Sequence, residues 1–200
     1  MRFRPTIIVP AAGLGSRFGG PLHKLAQAFE GTTVLGATVR HAIESQLPVV
    51  VVTTAALAPL VATQLATRDI VVLTPAETAR GMGFSIATGV SERSGAPGWL
   101  VLPGDMPLVQ AATLLAVATA LEQYPVVYAQ YRGRRGHPVG FAAELYSELV
   151  MLTGDDGARR VVARYPAYGQ EVPDAGVLMD MDTPADLQAL RQASAQALTK

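Results

Sequence analysis

The chain contains no cysteine. That excludes disulfides, a thiol nucleophile and Cys-ligated zinc. Charge is sparse: 16 Lys and Arg against 16 Asp and Glu, a net charge of zero. With half of the residues hydrophobic, this balance argues against disorder and against a surface built to hold nucleic acid. The apolar runs are short and broken by Pro or Gly, and none approaches the roughly 20 residues of a membrane span. The start, Met1-Arg-Phe-Arg-Pro5, lacks the apolar core of a secretory signal, so a cytoplasmic location is expected. There is no Ser/His/Asp elbow, no H-E-x-x-H and no obvious nucleophile–base pair. A reaction whose substrate supplies the nucleophile needs none of these. No internal repeat, low-complexity tract or linker interrupts the 200 residues, and a single domain spanning 1–200 is expected.

What is present is organised around Pro10-Ala-Ala-Gly-Leu-Gly-Ser-Arg-Phe-Gly19-Gly20, with Lys24 downstream. It directly follows, and shares Pro10 with, the apolar run Thr6-Ile-Ile-Val-Pro10, which reads as a buried first strand. A glycine-rich loop leaving a strand offers backbone N–H groups to phosphate oxygens. Gly13, Gly15, Gly19 and Gly20 let the chain bend and approach a ligand closely. Arg17 and Lys24 add the fixed positive charge that a polyphosphate requires. The plain alternative is a tight strand-to-helix turn carrying a solvated Arg and Lys. A P-loop is excluded, because Gly20 is followed by Pro21 and Leu22 instead of Lys-Ser/Thr. A dinucleotide fingerprint fits poorly: the glycines are spaced G-x-G-x-x-x-G, and the second strand, Val49–Val52, runs into Thr53-Thr54 without a carboxylate for a ribose.

Helices are expected at Thr33–Gln46, capped by Thr32 or Thr33, and at Leu57–Thr67, Ser85–Arg93, Ala111–Glu122, Glu144–Leu152 and Ala158–Tyr165, with a last helix from Pro184. Strands are expected at Val49–Val52, Ile70–Leu73, Trp99–Leu102, Val126–Ala129 and Val177–Asp182. Pro75–Phe84 reads as a loop and Arg132–Pro138 as a basic turn leading into Val139–Phe141. The alternation of strands and helices predicts an α/β fold, a three-layer α/β/α sandwich around a mostly parallel, mixed sheet. In such sheets ligands gather at the carboxyl ends of the strands. The glycine loop, Gly81-Met-Gly83 and Asp105 all fall there.

Asp105 follows an apolar strand between Gly104 and Met106. A lone carboxylate in that place suits Mg²⁺, which takes one or two carboxylates and otherwise phosphate oxygens and water; a turn or cap Asp is the alternative. Asp180 and Asp182 alternate on the expected late strand and so share a face. They need a cationic partner there, unless Asp182 only caps the final helix. Arg134, Arg135 and His137 could hold an anionic acceptor, or form a solvated hairpin turn. His23 and His41 read as loop and helix-surface residues, and Asp155 and Asp156 as caps for the helix carrying Arg159 and Arg160.

Taken together, these motifs resemble a known family. The glycine loop with Lys24-Leu25, Gly81-Met-Gly-Phe-Ser85, Gly104-Asp-Met-Pro-Leu108, Gly136-His-Pro-Val139, Gly154-Asp-Asp-Gly-Ala-Arg159 and Asp180-Met-Asp-Thr-Pro-Ala-Asp-Leu187 occur in the order seen in MobA-like NTP transferases, and the chain is most similar to the molybdenum cofactor cytidylyltransferases. The resemblance covers nearly the whole chain and implies the Rossmann-like fold of nucleotide-diphospho-sugar transferases. It implies transfer of CMP from CTP to a molybdopterin-type phosphate, with pyrophosphate released and Mg²⁺ as cofactor. Ala11, Ala12, Gly13, Gly15, Ser16, Arg17 and Lys24 would wrap the nucleotide, and Gly81, Gly83 and Ser85 would line the base and ribose pocket. Arg17, Lys24 and Asp105 would be catalytic, Asp105 and Asp182 would hold the metal, with Asp182 favoured over Asp180, and Arg134, Arg135 and His137 would face the acceptor. A molybdoenzyme or its chaperone would be a partner. Guanylyl members usually carry Gly-Gly where this chain has Ala12-Gly13, and the extra methyl would favour a pyrimidine. The chain departs from the family at Phe18, where Met is usual, and in the approach Gly20-Pro-Leu-His23 to the lysine. Three other readings stay open: GTP as donor, another phosphorylated acceptor such as a sugar, polyol or phospholactate, and a silent nucleotide- or cofactor-binding carrier.

Overall fold

A computed structural model describes residues 3–15, 18–19 and 22–198. Seven strands form one sheet in the order β5-β4-β1-β6-β8-β7-β9, with β1 at Thr6–Pro10, β4 at Val49–Thr54, β5 at Ile70–Leu73, β6 at Gly98–Val101, β7 at Val126–Tyr131, β8 at Arg134–Ala142 and β9 at Ala167–Glu171. A small ribbon, β2 at Ala28–Phe29 and β3 at Thr32–Thr33, stands apart. Within the large sheet only β8 runs against the rest, pairing antiparallel with both β6 and β7. The other pairings are parallel.

The continuous apolar runs follow from burial on both faces. Along β1, Ile7 and Val9 enter one core and Ile8 the other. The first core takes helices α1 (Val34–Glu44), through Leu35 and Val39, and α4 (Ala111–Ala120), through Leu114 and Val117. Leu187 and Leu190 of the last helix, Pro184–Leu198, enter it too. The second core takes Ile86 and Val90 of the helix Gly81–Glu92, Leu149 of the short helix Tyr146–Leu149, and Val161 of the helix Arg159–Arg164. In chain order the helix after α1 is α2 (Pro75–Thr78); Gly81–Glu92 is α3, Tyr146–Leu149 α5, Arg159–Arg164 α6 and Pro184–Leu198 α7. Helices thus cover both faces of a mostly parallel mixed sheet, the expected three-layer α/β/α sandwich.

Five local expectations are corrected. Leu57–Thr67 is not an α-helix: only a 3-10 turn forms at Ala58–Leu60. Leu57, Leu60, Val61 and Leu65 still pack on the core at helical spacing, but Pro59, which has no N–H to donate, sits in the first turn. Pro75–Phe84 is helical rather than a loop. Glu77 N donates to Thr74 Oγ1 at 3.3 Å, Thr74 N donates to the Glu77 carboxylate at 2.8 Å, and Pro75 opens α2. The basic turn contracts to Arg132-Gly133, both in the left-handed region at φ 49° and 76°. This tight connection lets β8 begin at Arg134. The late strand does not form: Ala175–Leu178 is a 3-10 turn, held from Asp174, and β9 is found earlier, at Ala167–Glu171. Asp155 and Asp156 do not cap α6, whose N-cap is Ala158 with no side-chain bond.

Candidate active site

The carboxyl ends of β1 and β6 are fastened side by side. Leu102 N donates to Ile8 O at 2.9 Å and Gly104 N to Pro10 O at 3.1 Å. The buried Thr38 hydroxyl of α1 donates to Gly104 O at 3.1 Å. A Cβ on Gly104 would stand 3.1 Å from both the Ala11 and Leu35 side chains, so glycine is what lets these turns touch. Asp105 is thereby fixed at the end of a closed backbone seam. Its own carbonyl accepts from Met181 N at 3.1 Å, which brings the segment around Asp182 across the end of the sheet without any strand.

Lys24 ends at this point. Its Nζ donates to Asp105 Oδ2 at 2.7 Å, to Asp182 Oδ1 at 2.8 Å and to Met181 O at 2.9 Å. Asp182 can serve here because the cap of α7 is made by its neighbours. Asp186 N donates to Thr183 Oγ1 at 3.3 Å, and the Asp186 carboxylate accepts from Thr183 N at 2.7 Å and from Asp182 N at 3.0 Å. The expected alternative for Asp182, a plain helix cap, is thus taken by Thr183 and Asp186.

Among the described residues the pocket holds more negative than positive charge. Burial pushes the Asp105 carboxyl above the ordinary carboxylate range; Lys24 pulls it back without offsetting burial, and Asp180 and Asp182 add to the rise. Burial also works against the Lys24 ammonium, but Asp105 and Asp182 together outweigh it and hold Lys24 above its ordinary value. The Asp105 rise comes first from burial, and the Lys24 rise from its two carboxylate partners. Asp105 Oδ1 is buried and has no hydrogen-bond partner among the described residues. An orphaned carboxylate oxygen beside surplus negative charge is what a divalent cation would satisfy. Among the described residues no third His, Asp or Glu closes a complete metal cage. The donor set therefore fits a hard cation that keeps positions for water and phosphate oxygens, as Mg²⁺ does.

The glycine loop lies beside this pocket. Ala11 and Ala12 are each 2% exposed; Ala12 packs in the core with Ile8, Val52 and Ile86, so its methyl is covered by protein. Gly15 is in the left-handed region at φ 63°, and a Cβ there would stand 3.1 Å from His23 Nε2 and 3.2 Å from Lys24 Cγ. A Cβ on Gly13 would meet nothing within 4 Å among the described residues, and Gly13 is exposed. Ser16 and Arg17, expected to contribute here, lie outside the described residues.

Gly81, Gly83 and Ser85 are brought to the start of α3. Their local reason is packing: a Cβ on Gly81 or Gly83 would stand 2.5 Å from Gly154 C or 2.8 Å from the Thr153 backbone. Gly83 N donates to Gly154 O and Gly154 N to Arg80 O, each at 2.8 Å. Ser85 is buried. Of the three acceptor candidates, His137 comes nearest to the carboxylates. Burial holds it below its ordinary pKa, with Asp105 and Asp180 acting the other way, and its Nδ1 is buried without a partner among the described residues. Arg135 lies over the Tyr128 ring at 4.0 Å. Arg134 is exposed next to the hairpin turn.

Sequence reasoning missed two residues. Asp174 is 3% exposed; it accepts from Gln110 N at 2.9 Å, the Thr113 hydroxyl at 2.6 Å and Gly176 N at 2.9 Å, which fastens the 175–178 turn to the start of α4. The Asp-x-Gly spacing of Asp174 and Gly176 was the available local signal. His23 bridges the glycine loop and the Lys24 turn; its adjacency to Lys24 was visible, but its reach to Gly13 was not.

Known proteins share this architecture. The MobA-like NTP transferase domain matches residues 7–170. No curated protein matches by sequence. Among solved structures, Rv0371c from Mycobacterium tuberculosis is 28% identical with a TM-score of 0.80, over 94% of this chain and 98% of that one. The same protein in complex with manganese is 26% identical, TM-score 0.78, over 94% and 98%. A nucleotidyl transferase from Methanothermobacter, Mth528, is 23% identical with a TM-score of 0.80, over 97% and 99%, a likeness of fold.

Proposed function

We propose that this chain, which belongs to the MobA-like NTP transferase family and is a nucleotidyltransferase, transfers CMP from CTP to the terminal phosphate of a molybdopterin-type acceptor in the cytoplasm, as one domain spanning residues 1–200. The observation that carries the reading is the Lys24 ammonium held between Asp105 and Asp182, beside a glycine loop and a buried, unpartnered Asp105 oxygen.

An acceptor phosphate oxygen attacks the α-phosphorus of CTP, the bond from that phosphorus to the bridging oxygen breaks, and pyrophosphate leaves. The attacking phosphate is already ionised, so no general base is required, and catalysis comes from positioning and charge neutralisation. Asp105 and Asp182 would hold Mg²⁺, which supplies charge neutralisation on the phosphates when bound; the manganese complex of Rv0371c supports a divalent ion in this class. Lys24, beside these carboxylates, and Arg17 would neutralise charge on the phosphate oxygens. The loop from Ala11 to Ser16 would wrap the triphosphate, with the exposed backbone at Gly13 and Leu14 foremost, and Gly81, Gly83 and Ser85 would border the nucleoside. His137, whose burial works against a charged ring, would with Arg134 and Arg135 receive the acceptor, and delivery to a molybdoenzyme or its chaperone would follow. Ala12 bears on base choice through the position of the loop, since its methyl is covered.

The test is pyrophosphate release with Mg²⁺, molybdopterin and each of the four ribonucleoside triphosphates. Release with CTP alone is expected. Release with GTP alone overturns the base; no release with any triphosphate, while a panel of sugar, polyol or phospholactate phosphates reacts, overturns the acceptor.

A further inference from the structure

The bridge made by His23 defines which way the glycine loop faces. Its Nδ1 accepts from Leu25 N at 3.1 Å, so Nδ1 carries no proton and the ring hydrogen resides on Nε2. That Nε2–H therefore donates to Gly13 O, 2.8 Å away. The ring thus ties the middle of the loop to the residue beside Lys24.

The peptide between Gly13 and Leu14 is trans, and in a planar trans peptide the C=O and the following N–H point in opposite directions. Drawing Gly13 O toward His23 turns the Leu14 N–H away from it. Among the described residues the Leu14 N–H donates no hydrogen bond, and the Leu14 side chain is 78% exposed. Gly13 is exposed as well. We propose that His23 is a positioning residue: it pins the Gly13 carbonyl and so aims the Leu14 N–H at an oxygen of the incoming triphosphate. This rests on the reading of the loop as a polyphosphate cradle. It also accounts for Gly15, whose missing Cβ leaves room for the His23 ring.

Two substitutions separate the two bonds of the ring. His23→Asn keeps a side-chain acceptor for Leu25 N, as a good capping residue does, but is too short to reach Gly13. His23→Gln extends an amide N–H toward Gly13. The probe is inorganic tripolyphosphate with Mg²⁺, which carries neither base nor acceptor chemistry. Its dissociation constant is expected to rise about tenfold in His23→Asn, the loss of one donor to an anionic oxygen. In His23→Gln it should stay within about threefold of the parent. Both variants should melt within a few degrees of it. In ¹⁵N-labelled protein the Leu14 amide resonance should move on adding tripolyphosphate, and this response should vanish in His23→Asn and return in His23→Gln. Unchanged affinity in His23→Asn, or equal losses in both variants, overturns the role of His23. Failure of the parent itself to bind tripolyphosphate overturns the cradle reading instead.

Discussion

The two halves of the candidate site are built in opposite ways. The carboxylate half is sealed: Asp105 hangs from a seam of backbone bonds among Pro10, Gly104 and Met181, backed by the buried Thr38 hydroxyl. The glycine half is open: Gly13 and Leu14 are exposed, and the loop is referenced to the rest through His23 and Lys24. A rigid anionic cup and an adaptable N–H strip suit different tasks. In the proposed reaction the cup would fix a small cation, whereas the strip would receive a ligand with many rotatable bonds. Burying carboxylates without full compensation costs stability, so the cup should trade stability for function and the strip should not.

The largest effect is expected at the cup. Asp105→Asn should lower nucleotidyl transfer by about a thousandfold, the scale seen when one preorganised electrostatic group is lost. Its melting temperature should match or exceed that of the parent, because the site favours the uncharged form of Asp105. Parallel melting curves and steady-state pyrophosphate assays read this directly. A large drop in stability would make Asp105 a structural residue.

Next comes Asp174, which has no part in the chemistry but holds the segment leading to Asp182. Asp174→Ala leaves three buried or half-buried donors without their acceptor and should cost about 3 kcal/mol in urea unfolding. Asp105→Asn and Asp174→Ala therefore separate the two roles a buried aspartate can take here: one should lose activity and keep its stability, the other should lose stability first.

Lys24 couples the halves, and its removal tests whether ammonium and metal share a seat. Lys24→Met should tighten Mn²⁺ binding about tenfold in the absence of nucleotide, since the side chain that competes for Asp105 and Asp182 is gone. Electron paramagnetic resonance of free Mn²⁺ measures it. Weaker Mn²⁺ binding would mean that Lys24 organises the carboxylates instead of blocking them.

How much of this could be read beforehand follows the same division. The strands of the sheet centre were legible because burial on both faces leaves uninterrupted Val and Ile runs, as in Thr6–Pro10 and Val49–Thr54. So was the placement of Asp105 and Lys24 at the carboxyl edge. The 175–182 segment was not. Its alternation of apolar and acidic residues imitates a strand, while the real constraints are long-range: Asp174 on α4 and Met181 N on Asp105 O. Gly81 and Gly83 look like loop residues in isolation; the Thr153-Gly154 backbone pressed against both, with a left-handed φ of 86° at Gly81, explains why glycines open α3. His23 was opaque for the same reason, since nothing local announces a bond to Gly13. Motifs report the chemistry a chain carries, and tertiary contacts decide which atoms face it.

The smallest effect distinguishes the charge states of the two kinds of aspartate. Asp186, in the cap of α7, is held below the ordinary carboxylate range by the Thr183 hydroxyl and by the Thr183 and Asp182 N–H groups. Glu77 is held below it by the Thr74 N–H and hydroxyl. A depressed folded value contributes stability that is present above the unfolded value, about 4, and is lost as pH falls through the folded one. Asp105 has the opposite sign: raised above its unfolded value, it adds stability below about 4 that is lost as pH rises through the folded value. Thr183→Ala should cost about 1 kcal/mol at pH 7, and that difference should shrink on acidification, as the parent begins to lose the same bonds. The advantage of Asp105→Asn over the parent should also fade on acidification, but because the parent recovers its own neutral carboxyl. Urea unfolding of the three proteins at pH 7 and pH 3 gives the comparison: the parent should lose ground toward the Thr183 variant and gain ground on the Asp105 variant. If the parent moves the same way against both, the surplus of negative charge assigned to the cup is wrong.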